Sequence, residues 1–269
     1  MPLLAIPLGV LIGLALGALG GGGSILTVPA LVYVLGQDPR AATTSSLIIV
    51  GVTSLIALVP HARAGRVRFG QGLLFGALGT AGSFAGTALS RSVAPNTLLL
   101  AFAALMLVVA ALMLRRVLSP AERSTLIDPT VEPMITLRPF SCASPRVAKV
   151  VVTATLVGLL TGFFGVGGGF ALVPALVLAL GFPMPTAVGT SLLVIAVNSA
   201  TALTARVTHA SSSLDWSLIA TFTVAAVGGS LIGGRIASRA NPRHLTIAFA
   251  VLLVGVALYT AARSLSLLG

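Results

Sequence analysis

Two glycine clusters are the stretches of this sequence whose composition and spacing could do chemistry. They read GGGGS at residues 20–24 and GVGGG at residues 165–169. Glycine weakens an α-helix by about 1 kcal/mol per residue relative to alanine, so each cluster predicts a broken helix. Unpaired N–H groups and the positive end of a helix dipole then face the break. This setting suits an anion without any charged side chain.

Uncharged polar side chains in the segment after each cluster could line the same site. Thr53 and Ser54 align with Asn198 and Ser199 of the second half of the chain. For a single serine or threonine, bonding to a neighbouring helix or to its own preceding turn is the commoner role, whereas an asparagine is costly to leave unpaired in lipid. The predicted substrate-binding residues are Gly21, Gly22, Gly23, Ser24, Thr53, Ser54, Gly167, Gly168, Gly169, Phe170, Asn198 and Ser199.

Long apolar segments must position these residues. The chain of 269 residues is 57% hydrophobic and 8% charged, whereas a soluble domain carries about 25% charged residues. Runs of about twenty apolar residues can cross a bilayer as helices, and none shows the alternation of a membrane β-strand. The net charge of +11 lies mainly in short links, where basic residues set orientation. The sequence predicts an all-α, polytopic protein of the lipid bilayer that binds no nucleic acid.

The chain contains two copies of one unit. The stretch from Gly13 to Gly36 recurs from Gly158 to Gly181 at an offset of 145 residues, which becomes 147 further along. Each copy has four apolar segments, at 7–36, 41–60, 69–90 and 96–114, then at 147–181, 186–205, 216–238 and 244–262. We expect an N-terminal transmembrane repeat at 1–114, a cytoplasmic linker at 115–146 and a C-terminal transmembrane repeat at 147–269.

The first segment of each copy decides the topology. If it crosses the membrane once, the repeats are parallel and lysine plus arginine divide 11 to 5 between the linker side and the opposite side. If it is a re-entrant hairpin, the repeats are inverted and the division is 12 to 4. These counts barely separate the alternatives. We favour the inverted form, because helices interrupted at matching places in both halves are typical of inverted-repeat transporters.

Several other residues receive structural interpretations. No Asp or Glu lies deep in a segment, which argues against a carboxylate proton relay or a sodium site. His61 and His209 are expected to anchor at the membrane interface, although attraction of anions or proton uptake stay open. Close helix packing is predicted for the G-x-x-x-G pairs Gly13/Gly17, Gly82/Gly86, Gly158/Gly162 and Gly229/Gly233.

No enzymatic site is expected. Ser24 with His61 or His209 is the one serine–histidine pairing on offer, and the sequence has neither a G-x-S-G nor a His-Glu-x-x-His motif. Cys142 is the single cysteine, so no thiolate metal cluster is expected. The sequence therefore predicts no catalytic residues, no metal and no cofactor.

The duplicated glycine break, the proline after it and the order of the later motifs resemble the TauE/SafE sulfite exporter family of bacterial permeases. The resemblance rests on Gly13 to Pro29 and Gly158 to Pro174, Thr43 to Leu47 and Gly189 to Leu192, and Gly82 to Gly86 and Gly229 to Gly233. It implies transport of small sulfur-containing anions, such as sulfite, sulfoacetate or thiosulfate, without an ATPase, in the bacterial plasma (inner) membrane. The first copy departs from the second by Ser24 where Gly169 stands and Thr53 where Asn198 stands.

These observations predict a secondary transporter of small anions that works by alternating access at the interface of its two repeats. A selective anion channel is the alternative, and an intramembrane enzyme or a structural membrane protein is a more distant one. Coupling to a proton or another ion and assembly into a homo-oligomer stay open.

Overall fold

The chain is all-helical where its structure is described, as the composition predicted. The computed structural model describes residues 2–90, 92–93, 95–118, 144–164, 169–207 and 214–266. Over these ranges the α-helices are α1 Pro2–Leu19, α2 Gly22–Pro29, α3 Pro39–Arg63, α4 Phe69–Ser90, α5 Pro95–Leu118, α6 Ser144–Phe164, α7 Gly169–Pro174, α8 Met184–Val207, α9 Trp216–Arg239 and α10 Pro242–Ser266. Five of them, α3, α5, α8, α9 and α10, contain stretches long and apolar enough to cross a membrane.

The predicted break in the first segment is confirmed. α1 ends at Leu19, Gly20 has a φ of +71°, and α2 begins two residues later. Glycine adopts this left-handed backbone conformation without the steric penalty that a Cβ brings. In the second repeat α6 ends at Phe164 and α7 begins at Gly169. Residues 165–168 between them, which include the predicted site residues Gly167 and Gly168, lie outside the described part of the chain.

Both short helices end in the same way. A π-helical turn follows directly, over Ala30–Val34 after α2 and over Ala175–Ala179 after α7. A glycine with positive φ then reverses the chain, Gly36 at 67° and Gly181 at 71°. The two repeats therefore use one backbone device at matching positions.

Equivalent helices of the two repeats run antiparallel. On α3 and α8, Gly51 faces Ser199 while His61 faces Gly189, so residue numbers rise along one helix as they fall along the other. These helices occupy the same place in their repeats. An inverted relationship requires such helices to point in opposite directions, whereas a parallel relationship would align them.

Glycine-lined helix pairs interlock the repeats. α1 packs against α9 of the second repeat, and α6 packs against α4 of the first. A Cβ at any glycine of the four G-x-x-x-G pairs would press into backbone atoms of the facing helix, as at Gly13 against Ala226 and at Gly162 against Ser83. Their predicted packing role is confirmed. Because the first helix of each repeat lies on the other repeat, the two share one core.

Basic side chains gather at one end of the helices. α1 and α9 point the same way, since Gly9 faces Ala225 and Gly17 faces Ser230. α1 and α3 also point the same way, since Gly17 and His61, each in the last turn of its helix, lie together. α5 runs opposite to α6, because Phe102 near its start lies 5.3 Å, between ring centroids, from Phe164 at the end of α6. The ends of α3, α5 and α9 therefore share one face of the molecule. The described arginines there are Arg63, Arg66, Arg68, Arg115, Arg116, Arg235, Arg239 and Arg243. From the positive-inside rule, we expect this face to lie toward the cytoplasm.

Candidate functional site

The two interrupted segments meet where α2 and α7 begin. The first tip is defined here as residues 20–24, and the second tip as Gly169, the first residue of α7. A Cβ on Gly21 would overlap the carbonyl oxygen of Gly169, and one on Gly169 would lie 3.0 Å from the carbonyl oxygen of Gly21. Both glycines are buried. Because α2 begins at Gly22 and α7 at Gly169, the first turns of two helices, whose N–H groups lack partners within the helix, converge on one place.

Ser24 occupies the space beside Gly169. Its hydroxyl donates to the carbonyl oxygen of Gly21 over 2.7 Å. A Cβ on Gly169 would overlap that hydroxyl oxygen and lie 3.1 Å from the Cβ of Ser24. Ser24 and Gly169 occupy the same position in their repeats, because their numbers differ by the offset of 145. The two repeats therefore contact each other here through matching positions. Only one side chain fits between them, which explains why the two copies differ here.

The rest of the first tip lies against three other helices. Gly20 faces the hydroxyl oxygen of Ser191 on α8, 2.5 Å from an added Cβ. Gly22 faces Leu252 of α10, and Gly23 faces the backbone and side chains of α1. The predicted residues Gly22 and Gly23 therefore make packing contacts. Ser191 is fully buried beside the break and was missing from the predicted set. Its alignment with Ser46 in the first repeat was the signal that could have found it.

Thr53 and Ser54 carry unused hydrogen-bonding capacity. They are 1% and 0% exposed, and neither hydroxyl oxygen has a hydrogen-bond partner. Buried hydroxyls are ordinarily bonded, so these two oxygens are available to a ligand. Ile49, one turn earlier on α3, packs in one cluster with Leu26 of α2. α3 therefore packs beside α2, the helix that begins in the first tip.

The polar pair on α8 is arranged differently. The side-chain oxygen of half-buried Asn198 lies 3.3 Å from the hydroxyl of Thr80 on α4, which shares its hydrogen with the closer carbonyl oxygen of Gly76, at 2.9 Å. Ser199 is buried and faces Gly51 of α3. Although Asn198 and Thr53 align in sequence, the contact described for Asn198 is with α4 and not with a tip.

The prediction that His61 anchors at the interface is wrong. The side chain is 4% exposed, and its Nε2 lies 3.4 Å from the carbonyl oxygen of Gly17 in the last turn of α1. α3 directs this face toward α1, α9 and the start of α8, so the ring is enclosed by protein. His209 lies outside the described residues, and of Phe170 only the backbone, in α7, is described.

Comparison with known proteins agrees with this architecture. The sequence matches the family described as Sulfite exporter TauE/SafE over residues 5–260. The chain belongs to this family. A Xylella fastidiosa (strain 9a5c) protein named "Probable membrane transporter protein" is 36% identical over 95% of this chain and 93% of its own length. No solved structure matches the chain significantly.

More distant TauE/SafE relatives also cover most of the chain. The Bacillus subtilis (strain 168) protein "Probable membrane transporter protein YunE" is 29% identical over 89% of this chain and 88% of its own length. A Methanocaldococcus jannaschii protein, "Probable membrane transporter protein MJ0441", is 24% identical over 93% of both chains. The resemblance found in the residues is confirmed, and the chain is an integral membrane transporter. None of these relatives' names specifies a substrate.

Proposed function

We propose that this TauE/SafE protein is a secondary transporter of a small sulfur oxyanion, such as sulfite or an organosulfonate, and that the anion binds where the two tips meet. The observation that carries the proposal is the contact between Gly21 and Gly169, which brings two helix starts from different repeats together. Helix starts favour negative charge, because their N–H groups point outward and the dipole is positive there.

Neutral hydroxyls complete the proposed site. Thr53 and Ser54 are buried without partners on α3, the helix that packs against α2, and an anion oxygen accepts from a hydroxyl. A hydrogen bond to a charged group contributes about 1.5–3 kcal/mol, so two such donors hold an anion firmly without an ion pair. A site built from amides and hydroxyls accepts several oxyanions, which suits a class of related substrates.

The interlocked helices provide a mechanism for alternating access. α1 and α9 contact each other backbone to backbone through glycines, as do α4 and α6, so each pair moves as one body. The first tip follows α1 and the second tip follows α6. When one pair rocks against the other, the anion is exposed first to one side of the membrane and then to the opposite side.

Uptake into proteoliposomes tests this function. Labelled sulfite, thiosulfate and a sulfonate are offered to the wild type, to Thr53→Val and to a matched control, Thr221→Val, whose hydroxyl bonds within its own helix to the carbonyl of Ser217. We expect saturable uptake that is stimulated by anion on the opposite side. Thr53→Val should weaken apparent affinity about 10- to 150-fold, the equivalent of one hydrogen bond to a charged group.

Three results would contradict the proposal. Wild-type protein that takes up none of these anions would overturn the substrate class. Equal affinity in Thr53→Val and Thr221→Val would remove the hydroxyl from the site. Unitary currents without stimulation by anion on the opposite side would indicate a channel instead of a carrier.

A further inference from the structure

His61 is a buried ionisable side chain in the last turn of α3, a helix that is long and apolar enough to cross a membrane. Among the residues whose side chains are described, no other ionisable group is buried to this degree, at 4% exposure. It lies in the span Ala41–Arg63. Ionisable groups within spans are costly to insert, and the proteins that keep them use them in ion pathways and proton relays.

The surroundings of the two ring nitrogens differ. Nε2 lies 3.4 Å from the carbonyl oxygen of Gly17, and because a carbonyl can only accept, a hydrogen bond between them requires the hydrogen to be on Nε2. Nδ1 is buried and has no partner. In the neutral ring Nδ1 is an unused acceptor, and in the protonated ring it is a donor. The protonated ring therefore gains a positive charge and a free donor, both of which favour an anion bound nearby.

The imidazole contacts α1 about one turn before the first tip. Gly17 is four residues before Gly21, in the last turn of α1, where the negative end of the helix dipole favours a protonated histidine. A Cβ on Gly234 of α9 would lie 3.8 Å from Nε2, and Gly189 of α8 lies against the Cβ of His61. The ring is thus enclosed by α1, α8 and α9, beside the place where the anion is proposed to bind.

The described charges around His61 are all positive. α1 has no ionisable residue, and neither does the first turn of α8. The remaining elements around the ring are the turn from α3 to α4 and the end of α9. They carry Arg63, Arg66, Arg68, Arg235 and Arg239. These charges repel a further positive charge on the ring. An anion bound nearby would offset that repulsion and so favour the protonated form of His61.

We propose that His61 takes up a proton together with the transported anion, so that proton binding and anion binding strengthen each other. The inference rests on the proposed anion site and names its coupling ion. Reciprocal linkage requires that the anion raise the proton affinity of His61 by the same factor by which the proton raises anion affinity, typically about 5- to 150-fold. For one linked proton, anion affinity rises by up to about tenfold for each unit by which pH falls.

The test compares three proteins in proteoliposomes loaded with a pH-sensitive dye. The substrate is labelled thiosulfate, which stays ionised between about pH 5 and pH 8 and so carries no proton of its own across that range. His61→Gln keeps an N–H donor for Gly17 but cannot titrate. His244→Gln is the matched control, because His244 is exposed at the start of α10. Wild type and His244→Gln should move protons with thiosulfate and bind it more tightly at lower pH.

In His61→Gln we expect thiosulfate uptake to lose both its pH dependence and the accompanying proton movement. Uptake by His61→Gln with unchanged proton movement would overturn the inference and leave the transport function standing. Wild type without uptake of any tested anion would overturn the transport function.

The protonation state of His61 is measured separately, by ¹⁵N-histidine NMR of the purified protein. The ring signal that disappears in His61→Gln should change protonation state when thiosulfate is added near neutral pH. A signal that stays unchanged between about pH 5 and pH 8, with and without thiosulfate, would overturn the inference independently of transport.

Discussion

A side chain added at Gly169 should damage the protein, and removal of the Ser24 side chain should repair most of the damage. In the structure a Cβ on Gly169 overlaps the Ser24 hydroxyl and lies 3.1 Å from the Ser24 Cβ. Overpacking of a tight interior costs about 1–3 kcal/mol. Ser24→Gly removes both Ser24 atoms. The carbonyl oxygen of Gly21, at 3.0 Å, is then the atom nearest to the Cβ added at Gly169. That contact needs a shift of only a few tenths of an ångström.

A double-mutant cycle measures this coupling. Gly169→Ala, Ser24→Gly and the double variant are compared by thermal unfolding in detergent and by anion uptake. We expect a favourable interaction energy of about 0.5–3 kcal/mol, because the two positions are in direct contact. Gly21→Ala is the informative comparison. The three atoms nearest to a Cβ added at Gly21 are backbone atoms of Gly169, so Ser24→Gly cannot relieve that overlap.

Gly255→Ala is the control for inserting a methyl group into a helix. No atom lies within 4 Å of the added Cβ, so stability should stay unchanged or rise by up to about 1 kcal/mol. The reasoning fails if Gly169→Ala behaves like Gly255→Ala. It also fails if Ser24→Gly rescues Gly21→Ala as well as it rescues Gly169→Ala, because then the two tips do not meet as described.

Two further predictions concern topology and the second hairpin. A reporter fused after Gly269 should lie on the opposite side of the membrane from one inserted in the linker at 115–146, since α5 and α10 point in opposite directions; reporters on the same side would exclude the inverted arrangement. Arg116 donates to the carbonyl oxygen of Val177 in the second π-helical turn. Arg116→Gln should therefore lower the free energy of unfolding by about 1.5–3 kcal/mol. The control is Arg115→Gln, at an exposed position, which should change the free energy of unfolding by less than about 0.5 kcal/mol. Equal melting temperatures of the two variants would show that the Arg116 bond does not stabilise the hairpin.

Much of the architecture could be predicted from local features of the sequence. The composition leaves helices as the only way to span a bilayer, because each helix satisfies its own backbone groups. The glycine cluster at residues 20–24 predicted the break after Leu19, since helix propensity is a property of the residues themselves. The repeat predicted that the second half would break at the matching place, and α6 and α7 lie on either side of it.

The facing partners of the glycines could not be predicted in this way. α1 is apolar on every side, so no polar face indicates which side meets protein and which meets lipid. Its contact with α9 joins residues more than 200 positions apart. The G-x-x-x-G spacing predicts close packing but does not indicate which helix is the partner. Only the tertiary structure shows that α1 packs on α9 and α6 on α4, each against the other repeat.

By itself, the sequence determined that this is a helical, duplicated membrane protein with two weakened helices, because these properties depend on composition and short-range propensity. The tertiary structure decided that Gly21 meets Gly169, that Ser24 excludes a side chain at Gly169, and that His61 is enclosed by protein. Each of these depends on which surfaces of distant helices come into contact. That choice is made by close packing over the whole chain, which no local pattern of residues records.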